Sequence, residues 1–339
     1  MAAPRLTESI VPHILIVALL GCVPLLSWAM DDPFLIRLFT RIVIFSIAAV
    51  ALNLVLGFGG LVSLLHAGLM GMGGYVVGIL AYHETNAIPI GLGFLSFDGT
   101  ADLLVALPLA LIASTLLALV TGIICLQSTG VYFIMITLAF NQMIFYFFVA
   151  LQFYGGEDGL QILTPLNVAG FDLPKGIGYF YICLVVLAAT LLLMRRVVGS
   201  RFGVALGGIR QNERRLIAVG APAMPYKLTA FAISGAICGL AGVLLAGSQN
   251  FVSPADLSWI RSADLAIIAV LGGVSVTWGP VLGAIVFYIA ELWLSSLTVH
   301  WQLPFGIMVI VIGALLNGGI ADLVLHAMRR LRSKEQLDE

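Results

Sequence analysis

The chain has 339 residues, of which 61% are hydrophobic and 10% are charged. A soluble domain carries roughly 25% charged residues, so this composition excludes a water-soluble fold for the chain as a whole. The formal net charge of −1 gives no reason to expect nucleic acid as a partner. We therefore predict an all-α fold, with one polytopic integral membrane domain over residues 1–339.

The beginning of the chain has two interpretations. Arg5, an apolar run from Ile14 and the residues Ser27-Trp28-Ala29 could form a cleavable signal peptide. The alternative is an uncleaved first transmembrane helix. We favour the second interpretation, because Glu8 weakens the positive charge that a signal peptide needs.

Apolar stretches follow along the rest of the chain, and a transmembrane helix needs about 20 such residues. Eight clear candidates occur, at 11–29, 34–56, 60–82, 102–126, 129–151, 177–195, 228–247 and 304–325. A further stretch, 262–298, is too long for one crossing. It is interrupted by Leu271-Gly272-Gly273 and by Gly279-Pro280.

The basic residues predict the orientation of the chain in the membrane. Seven of the 16 Lys and Arg residues lie between 195 and 227, and four more lie between 329 and 334. Segments rich in Lys and Arg stay on the cytoplasmic side of a membrane. We therefore place two segments in the cytoplasm, the loop 196–226 and the tail 327–339.

The number of crossings then decides how 262–298 is threaded. With a cytoplasmic N-terminus, six spans bring the chain to the basic loop, and the tail returns to the cytoplasm only if 262–298 crosses twice. The two crossings would be 262–274 and 280–298, and the first would reach only roughly 20 Å into a core of about 30 Å. This gives about ten transmembrane helices, including broken, glycine-rich helices of the kind that marks transport sites.

The sequence holds no motif of a soluble enzyme. No G-x-x-x-x-G-K-[ST] pattern occurs, so the chain has no P-loop for ATP. The five His residues lack metal-ligand spacing, and the four Cys residues lie inside apolar runs. We expect no catalytic residue, no bound cofactor and no metal site in this chain.

Polar residues within the apolar stretches are the candidates for function. A polar group that faces lipid costs several kcal/mol, so these residues should face protein or water. They could line a substrate pathway, or they could only join helices by hydrogen bonds. Together with the two glycines of the break, we assign to the pathway Asn53, His66, Asn141, Gln142, Gly272, Gly273 and Glu291. Glu291 is the one charged residue of the crossing 280–298, and this isolation argues mildly against a proton-driven pump.

The basic loop predicts a short cytoplasmic helix. Apolar and charged residues mix at helical spacing from Val204 to Ala218, and Gly220, Pro222 and Pro225 would end the helix. This helix could rest on anionic lipid headgroups, or it could dock onto a soluble partner. Composition alone leaves both possibilities open.

Four segments carry a family resemblance. They are 53–75 (NLVLGFGGLVSLLHAGLMGMGGY), 130–140 (GVYFIMITLAF), 199–220 with Ile209-Arg210-Gln211-Asn212-Glu213 at its centre, and 262–284 (SADLAIIAVLGGVSVTWGPVLGA). With these segments the chain resembles the branched-chain amino acid ABC transporter permease family, and within it the LivM-type subunit. Each segment alone is a weak signal, whereas the four together are specific.

This resemblance implies a permease subunit of an ATP-driven importer for branched-chain or related amino acids. The permease would not be an enzyme, because two separate ATP-binding subunits would bind ATP and Mg²⁺ and hydrolyse the nucleotide. A second homologous permease and a periplasmic or extracellular binding protein would complete the assembly. The chain would lie in the bacterial inner membrane, in contact with lipid, with both termini in the cytoplasm.

The resemblance also implies a role for the basic loop, which would dock onto an ATP-binding subunit. The residues assigned to this coupling are Arg201, Gly203, Arg210, Asn212, Glu213 and Gly220. Two alternatives remain for the function of the chain. One is a permease for urea or short amides in the same class of importer, and the other is a secondary transporter that acts alone.

Overall fold

The structure is a computed structural model that describes residues 10–30, 32–92, 95–97, 99–164, 166–168, 171–218, 220–315 and 318–325. The predicted cytoplasmic tail 327–339 lies outside the described residues. Within the described residues the helices are α1 (Val11–Gly21), α2 (Val23–Met30), α3 (Pro33–Asn53), α4 (His66–Thr85), α5 (Leu103–Cys125), α6 (Val131–Ala150), α7 (Ile177–Gly199), α8 (Arg201–Ala218), α9 (Ala223–Gln249), α10 (Trp259–Gly272), α11 (Gly279–Leu297) and α12 (Gln302–Leu315). Residues 320–325 are also helical.

Short strands form three antiparallel two-stranded ribbons in the described chain. β1 (Ile90–Leu92) pairs with β2 (Leu95–Phe97), β3 (Leu160–Gln161) pairs with β6 (Phe251–Val252), and β4 (Asn167–Val168) pairs with β5 (Phe171–Asp172). All of them lie in the connections α4–α5, α6–α7 and α9–α10. The ten-crossing topology places these three connections outside the cell, and the membrane domain itself is all-α, as predicted.

Six helical segments in the described chain are long and apolar enough to cross a membrane. They are Pro33–Phe58, Leu103–Cys125, Val131–Ala150, Ile177–Gly199, Ala223–Gln249 and Gly279–Leu297. These segments confirm a multi-pass membrane protein. The other crossings of the ten-helix prediction would use α1 with α2, α4, α10 and α12, which are shorter or richer in glycine. The count of ten therefore stays a prediction.

The predicted span 60–82 is wrong at its start, because α4 begins only at His66. α3 ends in a π-helical turn, Leu54–Phe58, and residues 59–65 are not helical. Gly60 lies at this break with a φ of 71°, a left-handed conformation that glycine adopts without strain. The remaining residues of the break are mostly apolar, so hydropathy alone does not separate them from a helix.

The predicted interruption of 262–298 is confirmed. α10 ends at Gly272, residues 273–278 form a turn, and α11 begins at Gly279. Gly273 has a φ of 114°, which also favours glycine. With 14 residues, α10 is about 21 Å long and is shorter than the membrane core of about 30 Å.

Glycines bring two central helices, α4 and α9, into backbone contact. A Cβ atom at Gly73 would overlap the Gly239 carbonyl group, and one at Gly242 would overlap the Met70 carbonyl oxygen. Small residues at such contacts are typical of helix packing in membranes, where lipid removes the hydrophobic drive between helices. α5 and α6 lie outside this centre and expose large apolar side chains, such as Phe147 at 60% exposure.

The orientation can be tested by labelling single cysteines with an impermeant maleimide in spheroplasts. We expect a cysteine at Ser200, in the exposed junction between α7 and α8, to react only after the membrane is opened. A cysteine at Val299, which is 88% exposed between α11 and α12, should react in intact spheroplasts. The background must lack the four native cysteines, all of which are free thiols. Reaction of Ser200→Cys in intact spheroplasts would contradict the cytoplasmic position of α8.

Candidate functional site

The first turn of α4 is buried, and side chains from other helices satisfy its backbone amides. The Ala67 amide donates to Ser262 Oγ on α10 at 2.9 Å, and the Gly68 amide donates to Asn141 Oδ1 on α6 at 2.9 Å. All four residues are buried. The first amides of a helix have no partner within it, so these two side chains stabilise a helix end that water does not reach.

Asn141 uses both ends of its amide group. Its Nδ2 donates to the Leu257 carbonyl at 2.8 Å, so it connects α4 and α6 to the turn that precedes α10. Gln142, the next residue, is only half-buried. The pathway role assigned to the pair stays a prediction, while the geometry gives Asn141 a bracing role.

His66 connects the start of α4 to α9. Its Nε2 lies 2.8 Å from Ser234 Oγ, and the Ser234 hydroxyl donates to the Ala51 carbonyl at 2.7 Å. Because that hydroxyl has a single proton to give, it accepts from His66, whose Nε2 therefore carries hydrogen. The other ring nitrogen, Nδ1, is buried without a hydrogen-bond partner in the described chain, and the ring meets Phe231 edge-on.

Asn53 joins the end of α3 to the turn between α10 and α11. Its Nδ2 donates to the Val276 carbonyl at 3.0 Å, and the residue is buried. A Cβ atom at Gly57, one turn later, would overlap both Asn53 Oδ1 and the Val274 carbonyl oxygen. The break after α3 and the break after α10 therefore lie against each other.

The two glycines of the second break are packing residues. A Cβ atom at Gly272 would overlap the Gly279 carbonyl oxygen at the start of α11. One at Gly273 would overlap the Gly318 carbonyl oxygen, beyond α12. A bulky residue at 272 would therefore clash with the α11 backbone, whether or not this region lies beside a substrate pathway.

Arg210 connects α8 to the break after α3. Its guanidinium group donates to the Gly57 carbonyl, and its aliphatic stem packs on Gly60. The sequence assigned Arg210 to docking with an ATP-binding subunit. That role stays a prediction, and the structure adds a partner for Arg210 within this chain.

Glu213 likewise has a partner within the chain. Its carboxylate lies 2.7 Å from Lys227 Nζ on α9, and the Lys227 side chain is only 5% exposed. A buried ammonium group needs such a partner, because removal of one member of a buried pair leaves an uncompensated charge. Glu213 thus holds α8 against α9.

The predicted helix in the basic loop is confirmed, but it is longer and kinked. Asn212 has a φ of −161° and a ψ of 97°, which divides α8 into two parts. Its Oδ1 accepts from the Arg215 amide at 3.0 Å and so caps the second part. Gly203 packs on the Val198 backbone at the turn from α7, and Gly220 has a left-handed φ of 91° after the helix end.

The exposed side of α8 carries residues that the sequence analysis did not single out. Arg214 and Arg215 are exposed, as is Arg201 at the start of the helix. Ile217 is 53% exposed beside them. Sequence spacing shows that the loop is helical and basic, but it does not show which of its charges turn inward.

Glu291 has charged neighbours, so the interpretation of this residue as isolated is wrong. Arg41 on α3, and Arg261 and Asp264 on α10, form an electrostatic cluster with Glu291 and Tyr288. Arg41 lies far earlier in the chain, whereas Arg261 and Asp264 lie on the preceding helix, so the packing of three helices brings these residues together. Arg41, Tyr288 and Glu291 also line a cleft of about 360 Å³ between α3 and α11.

Ser234 and Ser262 were missed by the sequence analysis. Hydroxyl side chains in apolar helices usually bond to their own helix, as Ser46 and Thr190 do with the carbonyl groups four residues earlier. Ser234 and Ser262 instead reach other segments. Nothing in the local sequence distinguishes the two kinds of hydroxyl group.

Comparison with known protein families gives one match that covers most of the chain. The family described as "Branched-chain amino acid transport system / permease component" matches residues 34–316. No solved structure matches the chain.

Individual transport permeases are also similar to the chain. It is 26% identical over 276 residues to the high-affinity branched-chain amino acid transport system permease protein LivM of Salmonella typhimurium, which covers 74% of this chain and 61% of that protein. It is also 26% identical over 298 residues to LivM of Escherichia coli K12. That match covers 79% of this chain and 67% of the LivM protein. A shorter similarity, 29% over 99 residues, exists to the L-arabinose ABC transporter permease protein AraH of Azospirillum brasilense. Part of each LivM protein has no counterpart in these matches.

We expect Asn141→Leu to destabilise the protein more than Gln142→Leu. Loss of the Asn141 amide group leaves the Gly68 amide and the Leu257 carbonyl buried without partners. Each such loss costs about 1–3 kcal/mol. The melting temperature of the purified protein should fall clearly for Asn141→Leu and little for the half-buried Gln142. Equal melting temperatures would contradict the bracing role.

A second prediction compares alanine at two helical glycines. Gly272→Ala should lower the melting temperature, because its Cβ would overlap the α11 backbone. Gly306→Ala on α12 is the matched control, since a Cβ there meets nothing within 4 Å. The control should be neutral or stabilising by up to about 1 kcal/mol, because alanine favours a helix over glycine. A neutral Gly272→Ala would show that α10 and α11 have room to separate.

Proposed function

The chain belongs to the branched-chain amino acid transport system permease family, and from this premise we propose that it is the transmembrane permease subunit of an ATP-driven importer. The cargo would be a branched-chain or related amino acid. The match over residues 34–316 includes every helix that the proposal uses, from α3 to α12. The names of the LivM relatives support the same class of cargo.

We propose that this chain works with partners that supply the energy and the specificity. Two ATP-binding subunits would bind ATP and Mg²⁺ and carry out the hydrolysis, so this chain would have no enzymatic role and no cofactor of its own. A second permease would complete the pathway, and a periplasmic binding protein would deliver the amino acid. The assembly would lie in the bacterial inner membrane, with both termini of this chain in the cytoplasm.

The observation that carries the proposal is the attachment of α8. This helix holds its inner side against the membrane domain through Arg210 and Glu213, and it leaves Arg214 and Arg215 exposed. A helix that is fixed on one side and charged on the other suits a soluble partner with an acidic groove. Electrostatic complementarity of this kind selects the partner and the register of docking.

A series of contacts that leads from α8 to both helix breaks supports a role of docking in transport. Arg210 contacts Gly57 in the π-helical turn, and Gly57 lies against Val274 in the turn between α10 and α11. Movement of α8 would therefore act on the place where both helix breaks meet. We propose that closure of the ATP-binding subunits is transmitted along this contact.

The docking side of α8 can be tested by charge reversal. We expect the double variant Arg214→Glu/Arg215→Glu to lose the ATP-binding subunits when the tagged chain is purified from its native membrane. Close charge pairs at protein interfaces couple by about 1.5–7 kcal/mol, so retention of those subunits should fall at least tenfold. Lys175→Glu, at an exposed position outside α8, is the matched control and should retain them.

The same preparation tests the proposed function. The wild-type complex, reconstituted in vesicles with its binding protein, should take up leucine only when ATP is supplied. A chain that purifies without ATP-binding subunits and transports without ATP would be a stand-alone carrier, against the proposal. Glu213→Lys is less suitable here, because it would place a second ammonium group beside the buried Lys227.

A further inference from the structure

A cleft between α3 and α11 has the chemical features of a binding site. It is lined by the first turns of α3 and the second half of α11, and its volume is about 360 Å³, within the range of small-molecule pockets of about 300–1,000 Å³. In the ten-crossing topology both parts lie in the outer half of the membrane.

Two polar atoms on its α11 side are buried without a hydrogen bond. Glu291 Oε2 and Tyr288 Oη have no partner in the described chain, and Tyr288 is only 1% exposed. An unsatisfied buried polar group costs about 1–3 kcal/mol, more if it is charged. The two groups can be satisfied together by one ligand that donates hydrogen bonds.

The α3 side of the cleft offers the opposite charge. The Arg41 guanidinium carbon lies 4.8 Å from the centre of the Tyr288 ring, a cation–π arrangement. Within the described residues Arg41 has no carboxylate at ion-pair distance. The nearby Arg261 and Asp264 lie 3.6 Å apart and compensate each other. Arg37 and Arg41 on α3 and Glu291 on α11 are therefore the charged groups of the cleft that remain for a ligand, and Arg41 is the one that lies beside Tyr288.

Apolar side chains complete the lining. Phe34 and Leu38 on α3 and Leu292 on α11 surround the charged groups. The cleft thus combines a cation, an anion and an apolar wall in one lining. This combination matches a zwitterion with a hydrophobic side chain.

We propose that this cleft binds the amino acid during its passage through the outer half of the membrane. Glu291 and Tyr288 receive the α-ammonium group, Arg41 holds the α-carboxylate, and the aliphatic side chain rests on Leu38 and Leu292. The identity of the ligand rests on the proposed function, whereas the site itself rests on the unsatisfied groups and the cleft.

A phospholipid headgroup is a different occupant of the same cleft. Arg37 and Arg41 would suit a phosphate, but Glu291 would repel it, and a phosphate has no hydrogen to offer the buried Glu291 oxygen. An ethanolamine headgroup would supply both charges. The amino acid is favoured because the apolar wall lies in the same cleft as the charges, and the experiment below distinguishes the two.

The test measures which part of the ligand each residue recognises. The purified complex is placed in nanodiscs of phosphatidylglycerol, which has no ammonium group, and binding of radiolabelled leucine is competed by two analogues. One is 4-methylpentanoate, which lacks the ammonium group, and the other is 3-methylbutylamine, which lacks the carboxylate. We expect the wild type to prefer leucine over each analogue by about tenfold or more, because a buried charged group is left unpaired by the analogue.

The variants should lose one preference each. Glu291→Gln should bring the ratio of leucine to 4-methylpentanoate close to one and leave the ratio to 3-methylbutylamine unchanged, and Arg41→Gln should do the reverse. Glu84→Gln, at an exposed position in the last turn of α4, is the matched control and should keep both ratios. A purely structural role of Glu291 or Arg41 would weaken all ligands alike and would overturn the proposal.

Further outcomes keep the proposal separate from the proposed function. Leu292→Trp narrows the mouth of the cleft without a change of charge, so it should reduce leucine binding even if a charge variant fails to fold. An absence of leucine binding in the wild type, or a bound ethanolamine lipid that is lost in Arg41→Gln, would overturn the site. Intact ATP-dependent leucine uptake in that case would leave the permease function standing.

Discussion

Helix ends inside a membrane domain are the constraint on which this structure depends. The first amides and the last carbonyls of a helix have no partner within it, and hydrocarbon offers none. Two such interruptions are satisfied here by side chains: the start of α4 and the turn between α10 and α11. Asn53, Asn141 and Ser262 supply the missing hydrogen bonds from neighbouring elements. Asn53 and Asn141, which the sequence assigns to a substrate pathway, therefore form hydrogen bonds with backbone groups that have no partner within their own helices.

The same interrupted region is where α8 attaches. Arg210 from α8 meets Gly57, and Gly57 packs on Val274, so α8 and the two breaks form one contiguous set of contacts. Packed contacts of this kind can carry energetic coupling where they belong to an element with two discrete arrangements. The Glu213–Lys227 pair holds α8 to α9 at the same time. α8 is thus attached to two parts of the membrane domain, and neither attachment uses its exposed arginines.

The sequence predicts the class of protein from its composition, and most of the long helices from their apolar stretches. It also predicts the break near Gly272 from the glycines and the proline that interrupt the stretch 262–298. Each of these predictions depends on a local pattern. The start of α4 could not be predicted in this way, since residues 61–65 are mostly apolar whether or not they are helical. Asn141 and Gln142 are adjacent and chemically alike, and only the fold makes one a brace. The neighbours of Glu291 come from α3 and α10, so its cluster depends on tertiary packing that no local pattern contains.

The cap of α4 has a consequence for how the protein is made. The Ala67–Ser262 hydrogen bond joins residues 195 positions apart, and the Gly68–Asn141 bond joins residues 73 positions apart. A growing chain inserts its helices in order, so α4 enters the membrane long before Ser262 has been synthesised. Its first amides then need water or the insertion machinery as temporary partners. The final seating of α4 is therefore a late event, and the order of synthesis differs from the order in which the helices reach their native positions.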